Sequence, residues 1–197
     1  WLHRGIMALC GFSPVLMGVL IGGLWQVLVS VGIHGIITVL AFADVLAGNS
    51  SPLLALSYSA SFAVSGVAFA VFMRSRNSGE KQTAKAGAVS AIMGATEPAM
   101  YALIKPDKKR FALCCAGGAL GGATAGFFGI SMHAYAGMGI TGLFGFFQTG
   151  DVKLVGVLLM AVLPFGFTWL IEMLLYRQEK AVESEEIIVM PVNGSVE

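Results

Sequence analysis

Gly94-Ala95-Thr96-Glu97-Pro98 sets a flexible glycine, a carboxylate and a helix breaker inside an otherwise apolar segment. From Ala86 to Ile104 the ionisable groups are Glu97 and the Tyr101 phenol. Basic clusters bound both ends: Arg74, Arg76, Lys81 and Lys85 before, Lys105, Lys108, Lys109 and Arg110 after. A charged side chain at bilayer depth costs about 3 kcal/mol even on the gentlest insertion scale. Pro98 removes a backbone donor and Gly94 permits unusual dihedrals, so the segment is expected to break near its middle. Irregular backbone survives at that depth only where it is buried in protein or lines a polar cavity. Glu97 is therefore read as facing a ligand. The competing reading is structural: a Glu paired with Lys or Arg on a neighbouring helix, or a short soluble helix capped at Thr96.

The surrounding composition supports the membrane setting. Hydrophobic residues make up 56% of the chain and charged residues 12%, and mean hydropathy is +0.81, outside the range of soluble domains. The expected class is an all-α integral membrane protein. A net charge of +1, with no basic run interleaved with aromatics, excludes a nucleic-acid partner. Cys10, Cys114 and Cys115 form no CxxC pair and read as buried small hydrophobes. Trp1 opens the chain with no basic n-region or cleavage site, so no signal peptide is expected, and the chain reads as a fragment of something longer.

From Gly5 to Met73 the only formal charge is Asp44, a run long enough for three spans. Pro14 with Gly22 and Gly23, then Gly32 to Gly35, then Gly48-Asn49-Ser50-Ser51-Pro52 are read as its breaks, with a span over 53–73. Lys/Arg excess argues that both basic clusters face the cytoplasm. A straight helix between them would put one cluster outside, whereas a re-entrant hairpin with Glu97 near its tip satisfies both. The uncharged stretch 111–150 carries glycines at 117, 118, 121, 122, 126 and 129, a small-xxx-small pattern that lets helices approach closely. His133 within it reads as a packed, hydrogen-bonded residue. A last span is expected over 154–176, kinked at Pro164 and ending in the cytoplasm at Arg177 and Lys180. An acidic linker follows over 178–189.

No GxxxxGK[ST] loop, no HExxH and no acid pair at workable spacing appears, so no catalytic residue, metal or cofactor is assigned to this chain. What remains is a set of polar groups scattered through apolar spans: Glu97, His34, Thr96, Trp25 and Gln26, with His133 a weaker candidate. A carboxylate and an imidazole suit the hydroxyls of a neutral solute, and an indole suits the apolar face of a sugar ring. A proton or ion carrier could use the same groups.

Gly94-Ala95-Thr96-Glu97-Pro98-Ala99-Met100-Tyr101 resembles the GITEP-type signature of the membrane (C) component of sugar enzyme II in the bacterial phosphoenolpyruvate-dependent phosphotransferase system. Gly22-Gly23-Leu24-Trp25-Gln26 with Gly32-Ile33-His34 is similar to a second signature of its glucose superfamily, closest to the β-glucoside branch. Residues 190–197 resemble the opening of a IIA domain. The resemblance implies a fragment of a polytopic helical permease (1–177) with re-entrant hairpins around the sugar, homodimeric in the inner membrane, with a cytoplasmic C-terminus. It implies that Glu97 and His34 bind a sugar, a β-glucoside, and that enzyme IIB and IIA domains are partners, fed by the histidine-containing phosphocarrier protein. The implied activity is a phosphohistidine–sugar phosphotransferase, of which this chain carries neither phosphorylated residue. An ion-coupled sugar transporter and a non-transporting sugar sensor are the alternatives.

Overall fold

The computed structural model describes residues 13–146 and 154–176. Among them the chain is helical, without a β-sheet. In order come α1 (Pro14–Val31), α2 (His34–Leu46), α3 (Pro52–Arg74), α4 (Ser78–Ile92) and the short α5 (Glu97–Ala99), which runs on into a π-helical turn (Met100–Ile104). Then follow α6 (Lys108–Phe128), a 3-10 segment (Ile140–Phe146) and α7 (Leu154–Leu175). Helices α1, α3, α6 and α7 are each long and apolar enough to cross a membrane. The chain is thus the all-α, polytopic membrane protein expected. Cys10, the acidic linker 178–189 and the segment 190–197 lie outside the described residues.

Two expectations about spans need correction. Helix α2 has 13 residues, a length of about 20 Å, short of the roughly 30 Å hydrocarbon core. The described part of the apolar run up to Met73 therefore makes two long helices and a short one, not three spans. Gly22 and Gly23 do not break α1 either; they lie inside it, against α6. Pro14 starts α1 and Pro52 starts α3, each in the first turn, where the missing N–H has no intrahelical partner to lose.

Helix α3 is the centre. In its most apolar window 94% of residues are buried, against 33–44% for α1, α6 and α7, whose outer faces remain for lipid. A fully enclosed helix must satisfy every polar group inside the protein, and its serines do so. Ser59 donates to the Gly118 carbonyl on α6, Ser61 to Met138, and Ser65 to Ala88 on α4. From α7, Thr168 donates to Ala63 at 2.9 Å.

Helices α1 and α6 pack through their glycines. A Cβ on Gly18 would run into the Gly122 carbonyl, one on Gly22 into Gly118, and one on Gly126 into Pro14. With no hydrophobic drive between helices in lipid, this backbone approach is the packing term. Gly122→Val is expected to destabilise the protein by about 1–3 kcal/mol through overpacking, read as a lowered melting temperature in detergent. An unchanged melting temperature would contradict the close approach.

The polar end gathers the ends of four segments around one cation. Arg110 Nε donates to Glu172 at 2.9 Å, and its terminal nitrogens to Glu80 at 3.3 Å. Glu80 also accepts from Ser75 at 2.7 Å and from the Tyr176 hydroxyl at 2.9 Å. The two polar loops that flank Glu97 in sequence therefore meet at one end of the molecule, as a hairpin requires and a straight crossing forbids.

Burial pushes the Glu80 carboxyl up, but the hydrogen bonds from Ser75 and Tyr176 and the Arg110 charge outweigh it and hold it below its ordinary value. A depressed carboxylate contributes stability that is complete above the unfolded value of about 4.3 and fades as pH falls through the lower folded value. The melting-temperature gap between the native protein and Glu80→Gln is thus expected to be widest near neutral pH and to shrink below about pH 4. A gap that grows on acidification would overturn this.

Candidate functional site

The segment that opens the sequence reading folds as a hairpin whose tip lies beside the middle of α3. Helix α4 stops at a Schellman turn: Gly94 takes φ 104°, its N–H bonds Ala91, and the Ala95 N–H bonds Ser90. Only glycine adopts that φ without strain. The break therefore falls at Met93 to Thr96, and Pro98 opens the returning helix instead of breaking one. The return lies back along α4, where a Cβ on Gly87 would press on Ala99.

A second, irregular excursion comes in from the opposite end. After α6 the chain pairs Met132 with Ser51, runs inward to Met138 and Gly139, and returns through the 3-10 segment, where His133 and Ala134 N–H groups bond Gly145. Its tip is fixed by α3: Tyr58 Oη donates to Gly139 at 2.7 Å and Ser61 Oγ to Met138 at 2.8 Å. The two tips touch, since a Cβ on Gly94 would strike Gly139 and one on Gly139 would strike Ile92 and Gly94.

At that meeting point lies a cavity of about 320 Å³, lined from α1 by Trp25 and Val29, from α2 by His34, Gly35, Thr38 and Val39, and from α3 by Ser57 and Ser61. The two tips contribute Gly94, Thr96, Glu97, Tyr135 and Met138. Gly32, in the left-handed conformation at φ 85°, ends α1 so that α2 begins at His34. His34 Nε2 lies 3.5 Å from Glu97 Oε1, with side chains 27% and 49% exposed. Among the described residues His34 is the one ion partner of Glu97, in place of the Lys or Arg of the structural reading. The Trp25 ring meets the His34 ring edge-on at 6.3 Å and is itself buried, so Trp25 is a wall of the cavity.

This arrangement is a hydrogen-bonding site open to the cavity. A carboxylate offers about four acceptor positions and an imidazole one donor or acceptor on each ring nitrogen. The pair is too exposed to matter much as a salt bridge, worth about 0–1 kcal/mol. Three of the cavity's hydroxyls already donate to the backbone: Thr38 to His34, Ser57 to Leu54, and Ser61 to Met138 and Tyr58. They remain as acceptors only.

Residues 1–115 match the family model described as "Phosphotransferase system, EIIC". The chain belongs to that family. Over 139 residues it is 34% identical to the "PTS system beta-glucoside-specific EIIBCA component" of Halalkalibacterium halodurans, covering 71% of this chain and 22% of that protein. A protein of the same description from Bacillus subtilis is 31% identical over 70% of this chain and 22% of its own length. The "PTS system arbutin-, cellobiose-, and salicin-specific EIIBC component" of Escherichia coli is 28% identical over 93% of this chain and 39% of its own length. This EIIC chain thus spans well under half the length of these relatives. No solved structure matches it.

Of the residues singled out in the sequence of this EIIC chain, Glu97, His34, Thr96 and Trp25 come together around the cavity. Gln26 does not. It faces α3, fully buried, and its amide donates to the Ala60 carbonyl at 3.0 Å. His133 also lies away from the cavity; its Nδ1 is buried and has no hydrogen-bond partner among the described residues. Val29, Ser57, Ser61, Thr38, Val39, Tyr135 and Met138 were missed. The serines alone left a local trace, as regularly spaced hydroxyls in an apolar helix.

Proposed function

We propose that this EIIC chain is the sugar-holding part of a phosphotransferase-system permease that carries a β-glucoside and delivers it for phosphorylation. The observation that carries the reading is the half-exposed Glu97 beside His34, in a cavity where two hairpin tips meet at the middle of a bundle of apolar helices. The printed names of the relatives, two of them β-glucoside-specific, supply the sugar class.

In this account Glu97 accepts hydrogen bonds from sugar hydroxyls and His34 donates or accepts one more, while Trp25 offers its face to the C–H surface of the ring. Thr96 and the cavity serines complete the acceptor set. Glu97 orients the hydroxyl destined for phosphorylation. The phosphoryl group arrives from a IIB cysteine, charged in turn by a IIA histidine and the histidine-containing phosphocarrier protein. Phosphorylation then traps the sugar inside. The segment 190–197 is the start of such a IIA domain, reached through the acidic linker, which sets the C-terminus in the cytoplasm together with the two basic loops. The protein works as a homodimer.

The test is uptake of radiolabelled methyl β-glucoside into vesicles bearing the full-length protein, with and without phosphoenolpyruvate and the general carrier proteins. Sugar phosphate accumulating only when both are supplied supports the proposal. Free sugar accumulating under a proton gradient overturns it.

A further inference from the structure

The returning arm of the first hairpin carries Glu97, Tyr101 and Lys105 at intervals of four residues, a spacing that puts them on one side of it. All three reach the same corner of the fold. Glu97 Oε1 lies 3.5 Å from His34 Nε2. The Tyr101 hydroxyl donates to the Val29 carbonyl at 3.4 Å, and Lys105 Nζ donates to the Ser30 carbonyl at 3.3 Å. The Lys105 ammonium also sits over the Tyr101 ring, 5.0 Å from its centroid, where the ring face attracts a cation. The π turn of this arm closes with the Lys105 N–H on the Met100 carbonyl at 2.7 Å, and such turns occur frequently at functional sites.

Val29 and Ser30 belong to the last turn of α1, where carbonyls lack partners within the helix and the helix dipole favours a cation. The turn at Gly32 and Ile33 takes up the Leu28 and Val29 carbonyls, and the hairpin arm brings Lys105 to the next one. Gly32 and Ile33 then lead directly to His34, so the end of α1 decides where His34 stands. Little else does. Ala41 is the one buried residue among the 13 of α2, and a helix draws most of its hold from packing. The buried Nδ1 of His34 has no hydrogen-bond partner among the described residues, so no polar group behind the ring orients it.

Resting on the proposed sugar site, we infer that Tyr101 and Lys105 are positioning residues for it. By holding the last carbonyls of α1 they fix the corner from which α2 starts, and so set His34 at its distance from Glu97. One arm thus carries both a sugar ligand and the two groups that bring the second ligand to it. Both side chains lie at the surface, Tyr101 49% exposed, so their removal takes little from the core.

The experiment has two readouts on the full-length protein. The first is methyl β-glucoside affinity, with the melting temperature, for the native protein, Lys105→Arg and Tyr101→Phe/Lys105→Met. The double variant is expected to bind about tenfold more weakly, within the range of coupling between residues of one network, at a nearly unchanged melting temperature. Lys105→Arg, which keeps the cation, should keep the native affinity. The second reads placement without sugar: His34→Cys/Glu97→Cys is joined by a short bifunctional thiol reagent, and the linked peptides are quantified by mass. Adding Tyr101→Phe/Lys105→Met is expected to slow that crosslink several-fold. Native affinity in the double variant overturns the inference and leaves the proposed function standing, and so does an unchanged crosslinking rate. Failure of the native protein to bind the glucoside overturns both.

Discussion

Glu97→Gln is expected to weaken β-glucoside binding by roughly 10- to 100-fold while leaving the protein folded. The change keeps the size of the side chain and removes its charge. A hydrogen bond to a charged group is worth about 1.5–3 kcal/mol, and each 1.4 kcal/mol is about tenfold in affinity. The fold has little to lose, because the pair with His34 is 3.5 Å long and its members are 49% and 27% exposed. Equilibrium binding and the melting temperature, measured on the same preparation, separate the two effects. A Glu97→Gln protein that binds and phosphorylates the sugar normally would sink the assigned role. One that fails to fold would instead restore the structural reading of this glutamate.

Arg110→Met should have the opposite profile, a large loss of stability from a residue far from the sugar. Arg110 is the common partner of Glu80 and Glu172, and the Glu172 side chain is only 7% exposed. Removing one member of a buried pair leaves an uncompensated charge and costs about 3–5 kcal/mol. Hydrogen bonds would be lost at the start of α4, the start of α6 and the end of α7 together. The expected result is a sharp fall in folded yield in detergent, partly recovered in Arg110→Met/Glu172→Gln, where the stranded carboxylate is gone. Equal melting temperatures for Arg110→Met and the native protein would contradict the account.

These two glutamates also show what was legible in the sequence and what was not. Glu97 stood out as a carboxylate in an apolar segment with Gly94 and Pro98 around it, and the hairpin followed from the basic clusters at its ends. Glu172 carries the same kind of signal, a lone carboxylate in an apolar helix. No glycine or proline breaks the chain beside it, so nothing local sets Glu172 apart from the span that holds it. His34 and Trp25, read as polar content that needs a cavity, both line one, whereas Gln26, grouped with its neighbour, does not. Adjacent residues on a helix point about 100° apart, so Trp25 faces the cavity and Gln26 faces α3.

The second hairpin tip could not be read locally. Met138 and Gly139 hold their place through bonds from Tyr58 and Ser61, far away in sequence, and through contact with Gly94. Nothing in 130–146 announces an inward turn: the stretch is uncharged and glycine-rich, as is α6 beyond its first three residues. The glycines of α6 were legible as packing residues because their spacing repeats. Those at 137, 139, 142 and 145 follow no helical period, since each answers a separate close approach.

The claim at the centre is that sugar occupies the cavity between the two tips. Thiol labelling of Thr38→Cys tests it most directly, in the full-length protein with Cys10 and Cys115 replaced by serine and the fully buried Cys114 retained. Thr38 lines the cavity on the His34 face of α2. Methyl β-glucoside is predicted to slow maleimide labelling at Thr38→Cys in a saturable way, and Glu97→Gln to raise the sugar concentration needed. Labelling at the same rate with and without saturating sugar would contradict the account.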